Sequence, residues 1–283
     1  MYLHSFTFPN DDMESNFIMS EKRTVYDTFY PFKVLSRKDF EAIVFDPITI
    51  LYGGNGSGKS TALNIIAEKT GVQRDSIFNK SNFYPAYIKM CELQLKKSIP
   101  SHSRIITSDD VFDYMLNIRN LNEGIDKKRD HVFQEYLDAK YADFQLKSLD
   151  DYEELKKMNE ARRKTQSRFV RSELMDNVRE YSNGESAFRY FTEKIDDDGL
   201  YILDEPENSL SPKRQLELVK FIEDAARFFG CQFIISTHSP FLLSMQGAKI
   251  YNLDSVPVKE EQWTELENVR TYYEFFKSHE GKF

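Results

Sequence analysis

Short apolar runs rich in β-branched and aromatic residues dominate the first third of the chain. Several of them alternate in part with polar residues, which is typical of strands. We predict strands over five such runs, at residues 2–8, 40–45, 48–52, 86–95 and 104–107. Residues 59–69 instead place apolar side chains at helical spacing, and Gly71 follows as a stop signal.

The second half of the chain changes in character. Residues 111–181 are highly charged and poor in glycine and proline, which predicts a long helical region, and 186–194 continue as helix. An apolar strand at 200–203, a helix opened by Pro212 and a second apolar strand at 233–236 then follow. Strand, helix and strand in this order predict an α/β fold with a parallel sheet and crossover helices.

A glycine-rich turn joins the strand at 48–52 to the helix at 59–69. Its residues match G-x-x-x-x-G-K-[ST], a loop whose backbone N–H groups surround phosphate oxygens at a helix N-terminus. The predicted nucleotide-binding residues are Gly53, Gly54, Asn55, Gly56, Ser57, Gly58, Lys59, Ser60 and Thr61. Lys59 supplies a positive charge to the β- and γ-phosphates, and the Ser60 hydroxyl is a predicted ligand of Mg²⁺.

Two adjacent carboxylates end the strand at 200–203. Asp204, at the carboxyl end of a parallel strand, is a predicted Mg²⁺ ligand, and Glu205 beside it can orient and deprotonate a water molecule. Taken alone, Asp204-Glu205-Pro206-Glu207 could also be a polar turn. The phosphate-binding loop earlier in the chain favours the interpretation in which Asp204 binds Mg²⁺ and Glu205 acts as the base.

Composition narrows the class of protein. The 283 residues include 38 Lys and Arg against 46 Asp and Glu, a formal charge of −8, which disfavours binding to nucleic acid over the whole surface. The two cysteines, Cys91 and Cys231, indicate a reducing, cytosolic protein rather than a disulfide framework. No run approaches the length of about 18 apolar residues of a membrane span, and no secretion signal is apparent.

Two further segments complete a known pattern. They are Tyr181-Ser182-Asn183-Gly184-Glu185 and Ser236-Thr237-His238-Ser239-Pro240. In this order with the loop and the acidic strand, they resemble the ATP-binding-cassette ATPase superfamily over roughly residues 40–245. The D-E-P-E-x-x-L-x-P run at 204–212 and Thr-His-Ser-Pro at 237–240 are most similar to stand-alone, soluble predicted AAA-type ATPases related to RecF, Rad50 and OLD proteins.

The resemblance implies a fold and a partition of the chain. The fold is a P-loop NTPase of the ABC type, with a mainly parallel sheet, an N-terminal antiparallel β region and an inserted helical lobe. The predicted parts are the β region with the loop, the helical lobe ending in the signature, the rest of the core, and a C-terminal segment. Their bounds are 1–110, 111–185, 186–253 and 254–283.

The resemblance also implies an activity, Mg²⁺-dependent hydrolysis of ATP in a head-to-tail homodimer. Glu205, Lys59 and His238 are its catalytic residues, with His238 sensing the γ-phosphate. The signature residues Ser182, Gly184 and Glu185 would contact ATP bound to the partner subunit. Ser182-x-x-Glu185 is equally a capping box for the following helix, and both readings can hold together.

Two expected parts are not assigned by the pattern. The superfamily usually has a Gln after a strand between the loop and the helical region, and here the strand at 104–107 leads into Ser108-Asp109. These two residues either substitute for the Gln or cap the helix that begins near Val111. The aromatic residue that stacks on adenine has four candidates: Tyr30, Phe32, Phe40 and Phe45.

A cluster of basic residues precedes the signature. On a helix, four of them share one face: Lys157, Lys164, Arg168 and Arg171. Such a face is often simply solvated, and it could equally bind DNA or an acidic partner.

The sequence therefore predicts a soluble, cytoplasmic ATPase that uses ATP and Mg²⁺ to drive a dimerisation switch, in DNA-related or phage-defence processes. One alternative is a regulatory binding module that ATP gates and that controls a separate protein effector. A less favoured alternative is the energy subunit of a membrane transporter. Turnover assays with and without a partner distinguish the first two.

Overall fold

The computed structural model describes residues 1–23, 25–26, 28–141, 156, 158–159, 163 and 183–282. The chain divides into two compact units. The first comprises Met1–Phe112 together with Asn183–Phe283, and the second comprises Asp113–Ser182. The basic residues predicted to form a binding face, Lys157, Lys164, Arg168 and Arg171, lie outside the described residues.

A six-stranded sheet forms the centre of the first unit. Its order is β5-β6-β7-β3-β8-β9, parallel except for the last strand. The strands are β3 (Ile48–Tyr52), β5 (Arg104–Thr107), β6 (Leu200–Asp204), β7 (Gln232–Thr237), β8 (Lys249–Asn252) and β9 (Lys259–Glu260). The predicted α/β class with a mainly parallel sheet is confirmed.

The three middle strands are apolar because both of their faces are covered. Every residue of β3 and β7 is buried, as are the first four of β6, which is the pattern of a parallel sheet between helical layers. In register, Asp204 lies opposite Ser236, and Tyr52 lies opposite Thr237. The carboxyl ends of these strands therefore meet at one edge, where polar residues follow each strand.

A smaller antiparallel sheet holds the N-terminus. Strand β1 (Leu3–Thr7) pairs with β2 (Ala42–Val44) on one side and β4 (Glu92–Leu95) on the other. Phe6 and Phe8 are buried against each other, with ring centroids 4.8 Å apart. This is the predicted N-terminal antiparallel region.

The prediction of a strand over 86–95 was wrong in its first half. Residues Tyr84–Met90 form helix α3, and only Glu92–Leu95 is a strand. Tyr84 and Tyr87 are both buried, three positions apart, so they lie on one helix face. Pro85 at the start of the helix was the available signal, since proline is favoured in a first helical turn.

The α-helices of the described residues are numbered in chain order. They are α1 (Asp11–Ser20), α2 (Lys59–Thr70), α3, α4 (Ser108–Tyr141), α5 (Asn183–Lys194), α6 (Pro212–Phe228), α7 (Pro240–Leu243) and α8 (Glu267–Ser278). A helix suited to spanning a lipid bilayer is not found in the part of the chain that the structure describes.

The described part of the second unit is mainly α4. Val132 and Tyr136, four positions apart, are buried together on one face of this helix, with Leu137 and Ala139 packed beside them. Residues 132–139 therefore carry a small apolar cluster within the charged region that the sequence suggested.

Candidate active site

The glycine-rich loop lies between β3 and α2, at the carboxyl edge of the sheet. Gly58, the residue before α2, has φ +100°, and a Cβ there would lie 3.2 Å from Leu35 Cδ2. A Cβ on Gly53 would lie 2.5 Å from Ser57 Oγ. Only glycine fits these two positions, so the sequence of the loop is fixed by its shape as well as by any ligand.

Lys59 is folded back into the loop. Its side chain is 4% exposed, and Nζ donates hydrogen bonds to the carbonyl oxygens of Gly53 at 2.7 Å and Gly54 at 3.0 Å. The same ammonium lies 3.4 Å from Glu205 Oε1. The charge predicted for the phosphates is therefore held at the centre of the loop by three oxygen atoms.

Asp204 connects the loop to the end of strand β6. Its Oδ1 accepts hydrogen bonds from Ser60 Oγ at 3.1 Å and from Ser236 Oγ. Burial raises the pKa of the Asp204 carboxyl above its usual value, and the two hydroxyl hydrogen bonds lower it in part. Hydroxyl and carboxylate oxygens are the donors that Mg²⁺ prefers, so the residues here fit this ion. Ser236 belongs to one of the predicted segments, but its contact with Asp204 depends on strand register and could not be predicted from that segment.

Glu205 turns sharply out of the strand. It has φ +49°, and its backbone N–H donates to Ser236 O at 3.0 Å. Oε2 accepts from Asn208 Nδ2 at 3.1 Å, while Oε1 lies 4.0 Å from His238 Nδ1 as well as close to Lys59. The structure thus brings together the three predicted catalytic residues.

Glu207 fixes the turn that carries His238, a role that sequence reasoning missed. Its side chain is 5% exposed, and Oε1 accepts hydrogen bonds from Thr237 Oγ1 at 2.6 Å, His238 N at 2.9 Å and Ser239 N at 3.3 Å. His238 Nδ1 lies 3.4 Å from the same oxygen, and its side chain is 47% exposed. One carboxylate oxygen therefore holds the backbone on both sides of an accessible imidazole.

The described signature residues lie on α5. A Cβ on Gly184 would lie 3.8 Å from Ser209 O and Ser211 N, and Glu185 Oε1 accepts from Arg214 Nη2 at 3.1 Å. Helix α5 begins at Asn183, and Ser182 lies outside the described residues. This segment is therefore placed against residues 209–214, which follow Glu205 and Glu207 in the chain.

Of the two alternatives for Ser108 and Asp109, the one in which they cap α4 was wrong. The capping pair is Thr107 and Asp110: Asp110 Oδ2 accepts from Thr107 N at 2.7 Å and from Thr107 Oγ1 at 2.9 Å. Asp110 thus stands at the third helical position of a capping box. Ser108 and Asp109 instead line a polar cavity of about 310 Å³ together with Ser60 and Asp204.

Three of the four adenine-stacking candidates are core residues. Phe32, Phe40 and Phe45 are buried in the main apolar cluster. Tyr30 is half-buried, its hydroxyl donates to Thr61 Oγ1 at 3.1 Å, and it borders the polar cavity. Its position beside the loop distinguishes it from the other three.

Two acidic residues support the loop from distant parts of the chain. Both oxygens of Asp254, just after β8, accept from Gly54 N, at 2.8 and 3.1 Å. On α1, the buried Glu14 accepts from Lys33 N at 2.5 Å and from Ser36 Oγ at 2.8 Å. The turn that Glu14 holds presents Leu35 to Gly58. Neither residue belongs to a local motif, so no sequence signal pointed to them.

The chain was compared with known protein families. The family model described as "ABC transporter" matches residues 43–208, which span the loop, the acidic strand and every residue of the polar cavity except Tyr30. The chain belongs to the ABC transporter family. The resemblance to ATP-binding-cassette ATPases is thereby confirmed, and as an ABC-family domain the chain is an ATPase in general terms. A second model, "AAA domain, putative AbiEii toxin, Type IV TA system", matches residues 177–244.

Solved structures with a similar fold include ABC cassettes and Smc heads. The Smc head domain of Pyrococcus furiosus is 13% identical, with 83% of this chain and 95% of that chain covered and a TM-score of 0.39. A nucleotide-free ATP-binding cassette from an ABC transporter is 14% identical, with 97% and 96% covered and a TM-score of 0.44. Scores of this size describe a loose likeness in fold and nothing about ligand or assembly. Comparison with curated protein sequences gives no match.

Proposed function

We propose that the chain binds Mg²⁺-ATP at residues 53–61 and hydrolyses it with Glu205 as the general base. The observation that carries this proposal is the convergence of three side chains at the loop. Lys59 Nζ lies 3.4 Å, and His238 Nδ1 4.0 Å, from Glu205 Oε1. A cation that binds phosphate oxygens and a carboxylate that positions water are recurring parts of phosphoryl-transfer sites, and an imidazole can donate a hydrogen bond to a phosphate oxygen.

Binding exchanges the partners of Lys59. The loop N–H groups and the N-terminus of α2 receive the phosphate oxygens, and the Lys59 ammonium leaves the two loop carbonyls for the β- and γ-phosphates. Because Glu205 lies against this same ammonium, the exchange also frees the Glu205 carboxylate for water.

Ser60 and Asp204 would hold Mg²⁺, which when bound would offset charge on the phosphate oxygens. The Asp204 carboxyl has a pKa raised by burial, so without a cation the site disfavours its ionised form. Ser236 keeps the carboxylate oriented toward Ser60.

Glu205 accepts a proton from the attacking water, and His238 donates a hydrogen bond to the γ-phosphate. The bond from Asn208 to Glu205 Oε2 leaves Oε1 as the atom that faces the loop. Glu207 keeps His238 in place through the backbone N–H groups of His238 and Ser239. Removal of a positioned general base typically lowers the rate about 10²- to 10⁴-fold.

We further propose a head-to-tail dimer in which Ser182, Gly184 and Glu185 of one subunit contact the ATP of the other. Gly184 lies beside Ser209 and Ser211, and Asn208 bonds Glu205. The signature segment is therefore linked to the general base through residues 208–211. A contact that the signature makes with ATP can in this way alter the position of Glu205.

A second candidate function is an ATP-gated binding module for a separate effector. The observation that favours it is an aromatic surface beside His238, described in the next subsection. Control of a DNA-related or phage-defence process stays a prediction, because the four basic residues that suggested DNA lie outside the described residues.

The substitution Glu205→Gln tests the main proposal. We expect steady-state hydrolysis of ATP with Mg²⁺ to fall by about 10²-fold or more, while calorimetry shows that ATP still binds. Glu41→Gln, which changes an exposed glutamate near β2, is the matched control. Turnover by the Glu205→Gln protein equal to that of the control would remove Glu205 from this role.

A further inference from the structure

A large cavity lies beside the turn that carries His238. Its volume is about 810 Å³, and most of its wall comes from α8, α7 and the short helix at 263–265. The wall is mainly aromatic and apolar, with Trp263, Tyr272, Tyr273, Phe241, Val269 and Pro240. Glu207 and His238 form the part nearest the active site.

Helix α8 presents unusually exposed aromatic side chains to this cavity. Tyr272 is 47% and Tyr273 is 58% exposed. Tyr273 and Phe276 also line an adjoining cavity of about 450 Å³ that extends to Lys277 and Glu280. Together the two cavities follow α8 from Val269 to Lys277, a length of about 13 Å at 1.5 Å per residue. A surface of this length fits a segment of polypeptide better than one small molecule.

Glu207, which lines the inner end of the cavity, carries an unsatisfied carboxylate oxygen. Glu207 Oε1 has three backbone and side-chain donors, whereas Oε2 is buried and has no hydrogen-bond partner among the described residues. Buried polar atoms are almost always paired, because an unpaired one costs free energy. The oxygen can therefore accept a further donor, and an incoming group reaches it once the side chains that cover it move aside.

We propose that this aromatic groove, defined by Trp263, Tyr272, Tyr273 and Glu207, receives a segment of a partner protein that carries a lysine or arginine between apolar side chains. The cation would donate to Glu207 Oε2 and lie against aromatic rings, which attract cations through their faces. The apolar side chains would cover the exposed face of α8, as in other helix-in-groove complexes. Arg270 also lines the cavity but is exposed, so solvent and salt screen its charge.

Docking at this groove would share a residue with the active site. Glu207 meets the partner with one oxygen and holds the His238 turn with the other. An effect of docking on hydrolysis rests on the proposed ATPase function, whereas docking itself does not. The test below is therefore made without nucleotide.

Trp263 is the single tryptophan of the chain and lies in the groove, so its fluorescence reports occupancy. The probes are a short amphipathic helical peptide with leucine anchors and one arginine, and the same peptide with glutamate in place of that arginine. We expect the arginine peptide to change Trp263 emission saturably and to bind about tenfold more tightly than the glutamate peptide.

Two variants of the groove and one control complete the experiment. Glu207→Gln keeps an oxygen for the His238 turn but places an amide N–H₂ at Oε2, so it should abolish the preference for arginine. Tyr273→Ser should weaken both peptides about equally. Phe228→Ser removes an aromatic ring that is 65% exposed on α6, away from the groove residues, and should change neither. Circular dichroism checks that each variant is folded.

Several outcomes would overturn the proposal. They are no saturable change with the arginine peptide, equal affinity for both peptides, and unchanged affinity in both Tyr273→Ser and Glu207→Gln. Emission that changes with protein concentration alone, together with a dimer in sedimentation, would assign the groove to a second copy of the chain. A shift with neutral phosphatidylcholine vesicles but with neither peptide would assign it to a lipid surface.

Discussion

Single carboxylates hold the turns around the proposed active site. Glu207 and Glu14 are both buried glutamates, and in each of them one oxygen accepts several donors while the other has no partner among the described residues. Glu207 fixes the turn at His238, and Glu14 fixes the turn that contacts Gly58. At this scale the site depends on acceptors that organise backbone N–H groups as much as on the groups that do chemistry.

Replacement of Glu207 tests whether this residue acts by positioning His238 rather than by binding ATP. In Glu207→Ala the N–H groups of His238 and Ser239 lose their acceptor, so the imidazole is no longer held toward the loop. We expect kcat to fall about 10- to 100-fold while KM for ATP stays within about twofold. Steady-state kinetics measures both.

The conservative variant Glu207→Gln should restore most of kcat, because its amide oxygen can still accept. In addition, Glu207→Ala combined with His238→Ala should be no slower than His238→Ala alone, since both changes remove the same contact. A combined loss equal to the product of the single losses would contradict the positioning role.

The buried carboxyl of Glu14 should make the stability of the folded protein depend on pH. Burial raises the pKa of this carboxyl above its ordinary value of 4.5, so the folded state binds the proton more tightly than the unfolded state. Stability from this group is complete below about pH 4.5 and is lost as the pH rises through the raised value in the folded state.

Glu14→Gln removes that titration. Its stability relative to the natural protein should therefore grow as the pH rises from 4.5 toward 7, as measured by urea unfolding at each pH. Glu41→Gln, on an exposed glutamate, should show no such trend. A difference for Glu14→Gln that stays flat over this range would show that the buried carboxyl does not titrate there.

At the scale of elements, supports from outside the motif hold the loop in place. The ends of β3, β6 and β7 bring residues 52, 204 and 237 to one edge, and the loop after β8 adds Asp254. The hydrogen bonds from Gly54 N to Asp254 are made by an exposed side chain 200 positions away.

Two substitutions of Asp254 distinguish anchoring from charge. Asp254→Asn and Asp254→Ala remove the same negative charge near the phosphate site, but only Asn can accept from Gly54 N. We expect the Ala variant to bind ATP about fivefold more weakly than the Asn variant, since one hydrogen bond contributes about 1 kcal/mol. Calorimetry at fixed salt makes the comparison, and equal affinities would show that the loop needs no anchor.

Local sequence patterns correctly predicted the parts of the fold that depend only on residues close together in the chain. The loop at 53–61, the strand before Asp204 and the apolar strand before His238 are each specified by neighbouring residues. Helix α3 was missed because Ala86-Tyr87-Ile88 has aromatic and β-branched character, while the buried spacing of Tyr84 and Tyr87 becomes evident only once their shared face is known. The α4 cap was displaced because Thr107 serves both as the end of a strand and as a helix cap.

Long-range pairing explains what the sequence could not predict of the site. Ser236 contributes through its register with Asp204, and Glu207 contributes through a turn about thirty positions further on. Tyr30, by contrast, was among four aromatic candidates that differ only in burial. Such contacts depend on the assembled sheet, and no spacing along the chain encodes them.

At the scale of the molecule, the dimer proposal can be related to the division of the chain into two units. The first unit carries the loop, the acidic strand and Gly184 with Glu185, and the described part of the second unit is mainly α4. A signature that acts on a partner's ATP makes assembly depend on nucleotide.

The Glu205→Gln protein provides the test of assembly. This change slows hydrolysis. It also removes the Glu205 carboxylate, which competes with the phosphates for the Lys59 ammonium, so ATP should persist in the site. We expect sedimentation to show a monomer without nucleotide and a dimer with Mg²⁺-ATP. Arg214→Ala, which removes the partner of Glu185, should weaken that dimer severalfold, and an unchanged monomer under both conditions would argue against the assembly.

The position of Lys59 has a consequence for selectivity. Its ammonium is already satisfied by two carbonyl oxygens and a carboxylate, so an arriving anion gains only what it offers beyond these. A single orthophosphate gains little binding free energy beyond these existing contacts. The three phosphoryl groups of a nucleoside triphosphate instead contact the N–H groups of the whole loop at once. The loop should accordingly ignore the abundant small anions of its surroundings and respond to the nucleotide.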